Sequence, residues 1–190
     1  MVLTVLINSE EHHATDEAGA ERIISKVMES LDYGGIAWLS IDKQIREEGV
    51  YADNTLKVVI NRSTGYGGLV WHVGTAYPEQ GGIYSHTWIS DNPEPPTTDP
   101  MLLSDPWHPV SMEPASALPL TKVREVLGEF CRAGTGDRPA CISWVKGKMN
   151  GEREELGAGV EPAPHSSTDW DSLVGEIVNL CPKEGESRSG

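Results

Sequence analysis

The chain is 190 residues long and carries 29 acidic against 15 basic side chains, a formal charge of −14. That length suits one domain with a short appendage, and the charge repels nucleic acid and anionic lipid while drawing cationic proteins. Direct nucleic-acid binding is disfavoured, and no apolar run approaches the length needed to span a bilayer.

The first seven residues, rich in Val, Leu and Ile, read as a β-strand. They lack a basic leader and meet Asn8-Ser9-Glu10-Glu11 at once, so they do not read as a signal peptide. The three cysteines are odd in number and form no CxxC pair, which fits a reducing, cytoplasmic setting. A solvated turn is expected to hold His12 and His13. From Asp16 to about Leu31, apolar side chains recur at Ala20, Ile23, Ile24, Val27, Met28 and Leu31, the spacing of an amphipathic helix. Asp16, Glu17 and Glu21 suit the positive end of its dipole.

Strands are predicted at Ile36–Ile41, Leu56–Asn61, Leu69–Val73 and Ile83–Ile89, separated by glycine-bearing turns, the pattern of an antiparallel meander. A second helix is predicted from Leu120 to Arg132, with Val123, Val126, Leu127 and Phe130 on one face and Pro119 at its start. Ala140–Val145, containing Cys141, is expected to close the sheet. The reading is α+β: a mainly antiparallel sheet with two main helices packed on it, followed by a C-terminal helical appendage. The core domain is expected over 1–146, a Gly/Glu/Pro-rich linker over 147–168, a short docking helix over 169–181 and a disordered tail over 182–190.

Between Arg62 and Lys122 there is no Lys or Arg, only Glu79, Asp91, Glu94, Asp99, Asp105 and Glu113 as charged residues. The middle of this stretch is a proline-punctuated loop, Ser90-Asp91-Asn92-Pro93-Glu94-Pro95-Pro96 followed by Asp99-Pro100 and Asp105-Pro106-Trp107-His108-Pro109. Fixed proline φ angles stiffen it, and carboxylates beside an aromatic suit a basic protein partner better than a small substrate. Asp and Asn before proline also cap turns, so turn chemistry accounts for part of each carboxylate.

Catalytic patterns are weak. His72, His86 and His108 with a nearby carboxylate are the best metal candidates, yet their spacing matches no compact ligand motif. No GxSxG elbow exists, and Cys131 and Cys141 read as core residues. Gly65-Tyr66-Gly67-Gly68 lacks the GK[ST] ending of a phosphate cradle and reads as a hairpin turn. Trp38, Trp71, Trp88 and Trp144 read as core or half-core, each needing a partner for its indole N–H, and Trp107 reads as an interface anchor.

Taken in order, Gly67-Gly68-Leu69-Val70-Trp71, Ser90-Asp91-Asn92-Pro93-Glu94-Pro95-Pro96, Asp105-Pro106, Pro114 with Ser116, Pro119-Leu120, Phe130-Cys131, Gly136-Asp137-Arg138-Pro139 and Trp144 resemble the Imm1 family of bacterial immunity proteins. The resemblance spans roughly Met1 to Lys146. It departs at Met112-Glu113-Pro114, where a more aromatic, proline-rich word is usual, and the tail lies beyond it. The resemblance implies an α+β protein without catalytic residues or cofactors that binds a cognate toxin in interbacterial competition, commonly a zinc-dependent nucleic-acid (cytosine) deaminase. The expected partner-binding residues are Tyr84, Asp91, Glu94, Asp99, Asp105 and Trp107. The alternatives are a metal-dependent enzyme using His72, His86 and His108, or an acidic adaptor that binds through its tail.

Overall fold

The computed structural model describes residues 1–46, 50, 52–105 and 109–154. Trp107, His108, most of the expected linker, the helix expected over 169–181 and the tail over 182–190 lie outside the described residues. The described elements are β1 (Val2–Ile7), β2 (Glu10–Ala14), α1 (Glu17–Ser30), β3 (Ile36–Asp42), β4 (Asn54–Asn61), β5 (Tyr66–Val73), β6 (Thr87–Asp91), β7 (Leu103–Asp105), β8 (Val110–Ser111), β9 (Leu118–Pro119), α2 (Leu120–Ala133) and β10 (Ser143–Gly147).

Eight of these strands form one antiparallel sheet in the order β10-β6-β5-β4-β3-β1-β2, with β9 also paired to β5, while β7 and β8 pair separately. This is the expected α+β fold. Side chains alternate across each strand, so neighbours in sequence face opposite layers. Leu3, Val5, Leu39, Leu56, Val58, Leu69 and Trp71 bury against α1 and α2 through Ile24, Val27, Val123, Leu127 and Phe130. On the other face, Val59, Val70 and Ile89 bury against Leu102, Met112 and Ala117 of the proline-rich stretch.

Both helices start and stop for local reasons. The Asp16 carboxylate accepts the Gly19 N–H at 2.6 Å and caps α1. Pro119 precedes the first turn of α2, and Gly134, at φ 65°, ends it in the left-handed conformation that glycine adopts without strain. The ion pair between Arg124 and Glu21 joins the two helices at their surface.

The consecutive glycines of β5 serve both faces at once. A Cβ at Gly67 would press on the Val59 carbonyl oxygen at 2.8 Å and on Val123 at 3.1 Å, and one at Gly68 would collide with the Met112 sulfur. One glycine admits a helix and the next admits the proline-rich stretch.

Three expectations of local structure are corrected. His12 and His13 lie on strand β2, because five residue pairs tie it to β1 and shorten the turn to Asn8-Ser9, both at positive φ. The strand expected from Ile83 begins at Thr87, since residues 82–85 form a 3-10 turn whose Ile83 carbonyl accepts the Trp88 indole N–H at 2.7 Å. Cys141 lies just before β10, where the Glu129 carboxylate accepts the N–H groups of Ala140 and Cys141 at 2.7 and 3.0 Å.

Candidate partner-binding face

The long stretch after β6 is a packed cover on the second face of the sheet. Asn92 N–H donates to the Ala115 carbonyl at 2.7 Å, and the Asn92 side chain donates to the Ala117 carbonyl at 2.6 Å. Met112 N–H donates to the Leu102 carbonyl at 2.8 Å, closing the stretch on itself. Asn61 and Thr64, in the β4–β5 hairpin, hold the Pro100 carbonyl at 3.3 and 2.9 Å. Burying Leu102 and Met112 beneath it stabilises the cover by roughly 1.5–3 kcal/mol per side chain.

The carboxylates of this region have different tasks. Asp91 is half-buried and paired with Arg153 at 2.8 Å. Asp105, on β7, acts on the buried Lys57. Glu94 and Asp99 are exposed, and the Asp99 side chain accepts the Met101 N–H at 2.7 Å, the expected turn chemistry. Glu113 is exposed on the same cover. Among the described residues, Glu94, Asp99 and Glu113 make no ion pair, so their charges face water.

Beneath the cover, Lys57 is 3% exposed. Its ammonium donates to Ser104 Oγ at 3.0 Å and to the Met149 carbonyl at 3.1 Å, and lies 5.2 Å from the Trp38 ring centroid. Burial pushes its pKa down to about 8, with the Asp105 charge opposing. The Met149 contact belongs to a clip beyond β10, in which Glu154 N–H donates to the Lys146 carbonyl at 2.9 Å and Arg153 reaches both Asp91 and Ser116.

Tyr84 is half-buried in a second cluster on the helix side. Its hydroxyl donates to Asp137 Oδ1 at 3.1 Å, and that of Tyr77 donates to the same oxygen at 2.8 Å. Tyr84 also leans on Trp71 and Tyr77 at centroid distances of 5.9 and 5.6 Å. Burial alone would raise the Asp137 pKa, but hydrogen bonds from Tyr77, Thr135 and Tyr84 outweigh it and hold the carboxyl below its ordinary value. The indole N–H groups of Trp71 and Trp144 donate to the Gly136 and Pro139 carbonyls at 3.0 and 2.7 Å, fixing the segment between them. Arg138 in that segment lies over the Trp88 ring at 4.1 Å.

Structure thus separates Tyr84 from the carboxylates of the cover and leaves Trp107 outside the described residues. Glu113, Lys57 and Arg138 are additions to the sequence-based set. The absence of cations between Arg62 and Lys122 marked Glu113, and Arg138 falls in the word Gly136-Asp137-Arg138-Pro139, whereas its contact with Trp88 and the burial of Lys57 gave no local signal because the partners lie far away in sequence. The histidines are engaged separately: His72 lies 3.2 Å from Thr87 Oγ1, and His86 meets Trp88 edge-on at 6.1 Å. Among the described residues no group of three His, Cys, Asp or Glu side chains is arranged to hold a metal. Burial pushes the Cys131 and Cys141 thiols up to about 12, far from the thiolate a nucleophile needs.

No helix among the described residues is long and apolar enough to cross a membrane. Neither a curated protein nor a solved structure matches the chain. The family model described as "Immunity protein Imm1" matches residues 10–146, and with it the chain belongs to the Imm1 family of immunity proteins.

Proposed function

We propose that this immunity protein neutralises a cognate toxin by non-covalent binding, and that the toxin is a zinc-dependent nucleic-acid deaminase whose substrate channel the acidic cover occupies. The observation that carries the reading is the cover itself: it presents Glu94, Asp99 and Glu113 to water, without ion pairs among the described residues, on a backbone held by proline and by the sheet beneath. A deaminase must draw an anionic strand into a basic channel and take one base into a pocket. A rigid acidic surface competes for those cations, and long-range attraction speeds its arrival. Trp107, two positions after Asp105 in the sequence, is proposed as the aromatic contact. Asp91 supports the surface from within through Arg153, and Tyr84, bonded to Asp137 on the helix side, stands apart from it.

The deciding experiment is co-expression with the product of the adjacent gene, purification through a tag on that product, and a cytosine-deamination assay of the complex and of the toxin alone. Co-purification with loss of deamination is expected. A complex whose toxin shows another activity would keep the immunity role and remove the deaminase. A fully active toxin that ignores this protein would remove both and favour an adaptor working through residues 147–190.

A further inference from the structure

Arg138 is half-buried in a strongly acidic protein, yet makes no ion pair or hydrogen bond among the described residues. Its Nη1 is closed off from water without an acceptor. A buried guanidinium donor left unmatched costs stability. The adjoining Asp137 makes no ion pair with it among the described residues, and its Oδ1 accepts from Tyr77 and Tyr84.

The surroundings point to a ligand class. Trp88 holds the guanidinium plane at 4.1 Å, and Nε with Nη2 forms the side-on fork, neither being closed off as Nη1 is. That fork matches the two oxygens of a carboxylate. Lys146, exposed on β10, lies directly across from Trp88 in the ladder, and His86 meets the same ring edge-on. Arg138 and His86 thus contact one indole and Lys146 stands opposite it in the ladder, while the whole chain carries −14. A phosphodiester strand would bring many charges against 29 acids, whereas one carboxylate brings a single charge to the place that receives it.

We infer that Arg138, with Trp88 beneath it and Lys146 and His86 beside it, receives a carboxylate side chain of the partner toxin. This rests on the immunity reading and adds to it a contact of opposite sign, which fixes orientation where acids alone would slide over a basic surface.

Acetate titration of the isolated full-length protein tests the site, with chloride holding ionic strength constant and 15N NMR reporting Arg138 Nε–H and Trp88 Nε1–H. Both signals are expected to follow a saturable curve. Arg138→Lys, which keeps the charge and loses the fork, is expected to weaken the midpoint at least fivefold with the fold intact. A linear drift of equal size in both proteins overturns the site. Phosphate saturating the same signals at tenfold lower concentration overturns the carboxylate assignment.

The source of the carboxylate is read from the complex with the adjacent gene's product. Arg138→Gln is expected to dissociate at least tenfold faster, and an unchanged rate overturns the partner as that source. Failure of the wild-type protein to form any complex defeats the immunity reading, and the acetate curves still decide the site.

Discussion

Lys57 Nζ donates to Ser104 Oγ at 3.0 Å, joining a central strand to the cover over a separation of 47 residues. The same amine reaches the Met149 carbonyl, so one buried side chain holds the cover and the C-terminal clip together.

Lys57 moves from 10.5 when unfolded to about 8 when folded, because burial disfavours its charge. Between those values the unfolded chain binds the extra proton, so the Lys57 contribution to stability rises with pH. It is fully present above 10.5 and is lost as pH falls through 8. Urea denaturation at pH 7.5 and 10 should show wild type gaining about 1–3 kcal/mol relative to Lys57→Met. Equal changes in the two proteins would contradict this environment for the amine.

Gly68→Ala forces a methyl group against Met112, and overpacking of this kind costs about 1–3 kcal/mol. Met112→Ala should relieve part of that cost in the double variant, since the two residues meet directly. Additive losses in a denaturation cycle would show that the cover does not rest on Gly68.

A chain ending at Lys146, the limit of the family match, loses the clip with its Asp91–Arg153 ion pair and its Met149 acceptor for Lys57. It should be less stable than a chain ending at Glu154 by about 2–4 kcal/mol, because Asp91 and Lys57 are left partly buried without those partners. Equal midpoints for the two truncations would assign the clip no share in the fold.

Reversing the free charges of the cover, Glu94→Lys with Asp99→Lys and Glu113→Lys, should slow association with the toxin about tenfold at low salt and flatten its salt dependence. Stopped-flow mixing at two ionic strengths reads this directly. Asp91→Asn should act differently, lowering stability through Arg153 with little change in the association rate. Identical kinetics for wild type and the triple variant would move the interface off the cover.

Much of the fold was legible because period alone identifies its parts. The 3.6-residue recurrence in α1 and α2 and the apolar runs of β3, β4 and β5 each depend on neighbours within a few positions. Strand β2 was not legible, since Glu10-Glu11-His12-His13 has no apolar alternation and is held by its ladder to β1. Turn chemistry was also local, which is why the Asp99 and Asn92 side chains bond two residues onward as expected.

The amino-acid order by itself determined the α+β class with its two helices, the excess of negative charge and the proline-stiffened acidic stretch, all of which follow from short-range spacing or simple summation. Tertiary structure alone decided which charges remain available. Asp91 and Arg153 are 62 residues apart, Tyr84 and Asp137 are 53 apart, and no local pattern foretells that they meet. Packing also left Arg138 on Trp88 without an acid among the described residues. Whether a charged group is spent inside the protein or offered to a partner depends on what folding brings within about 4 Å of it, and that distance is set by the whole chain.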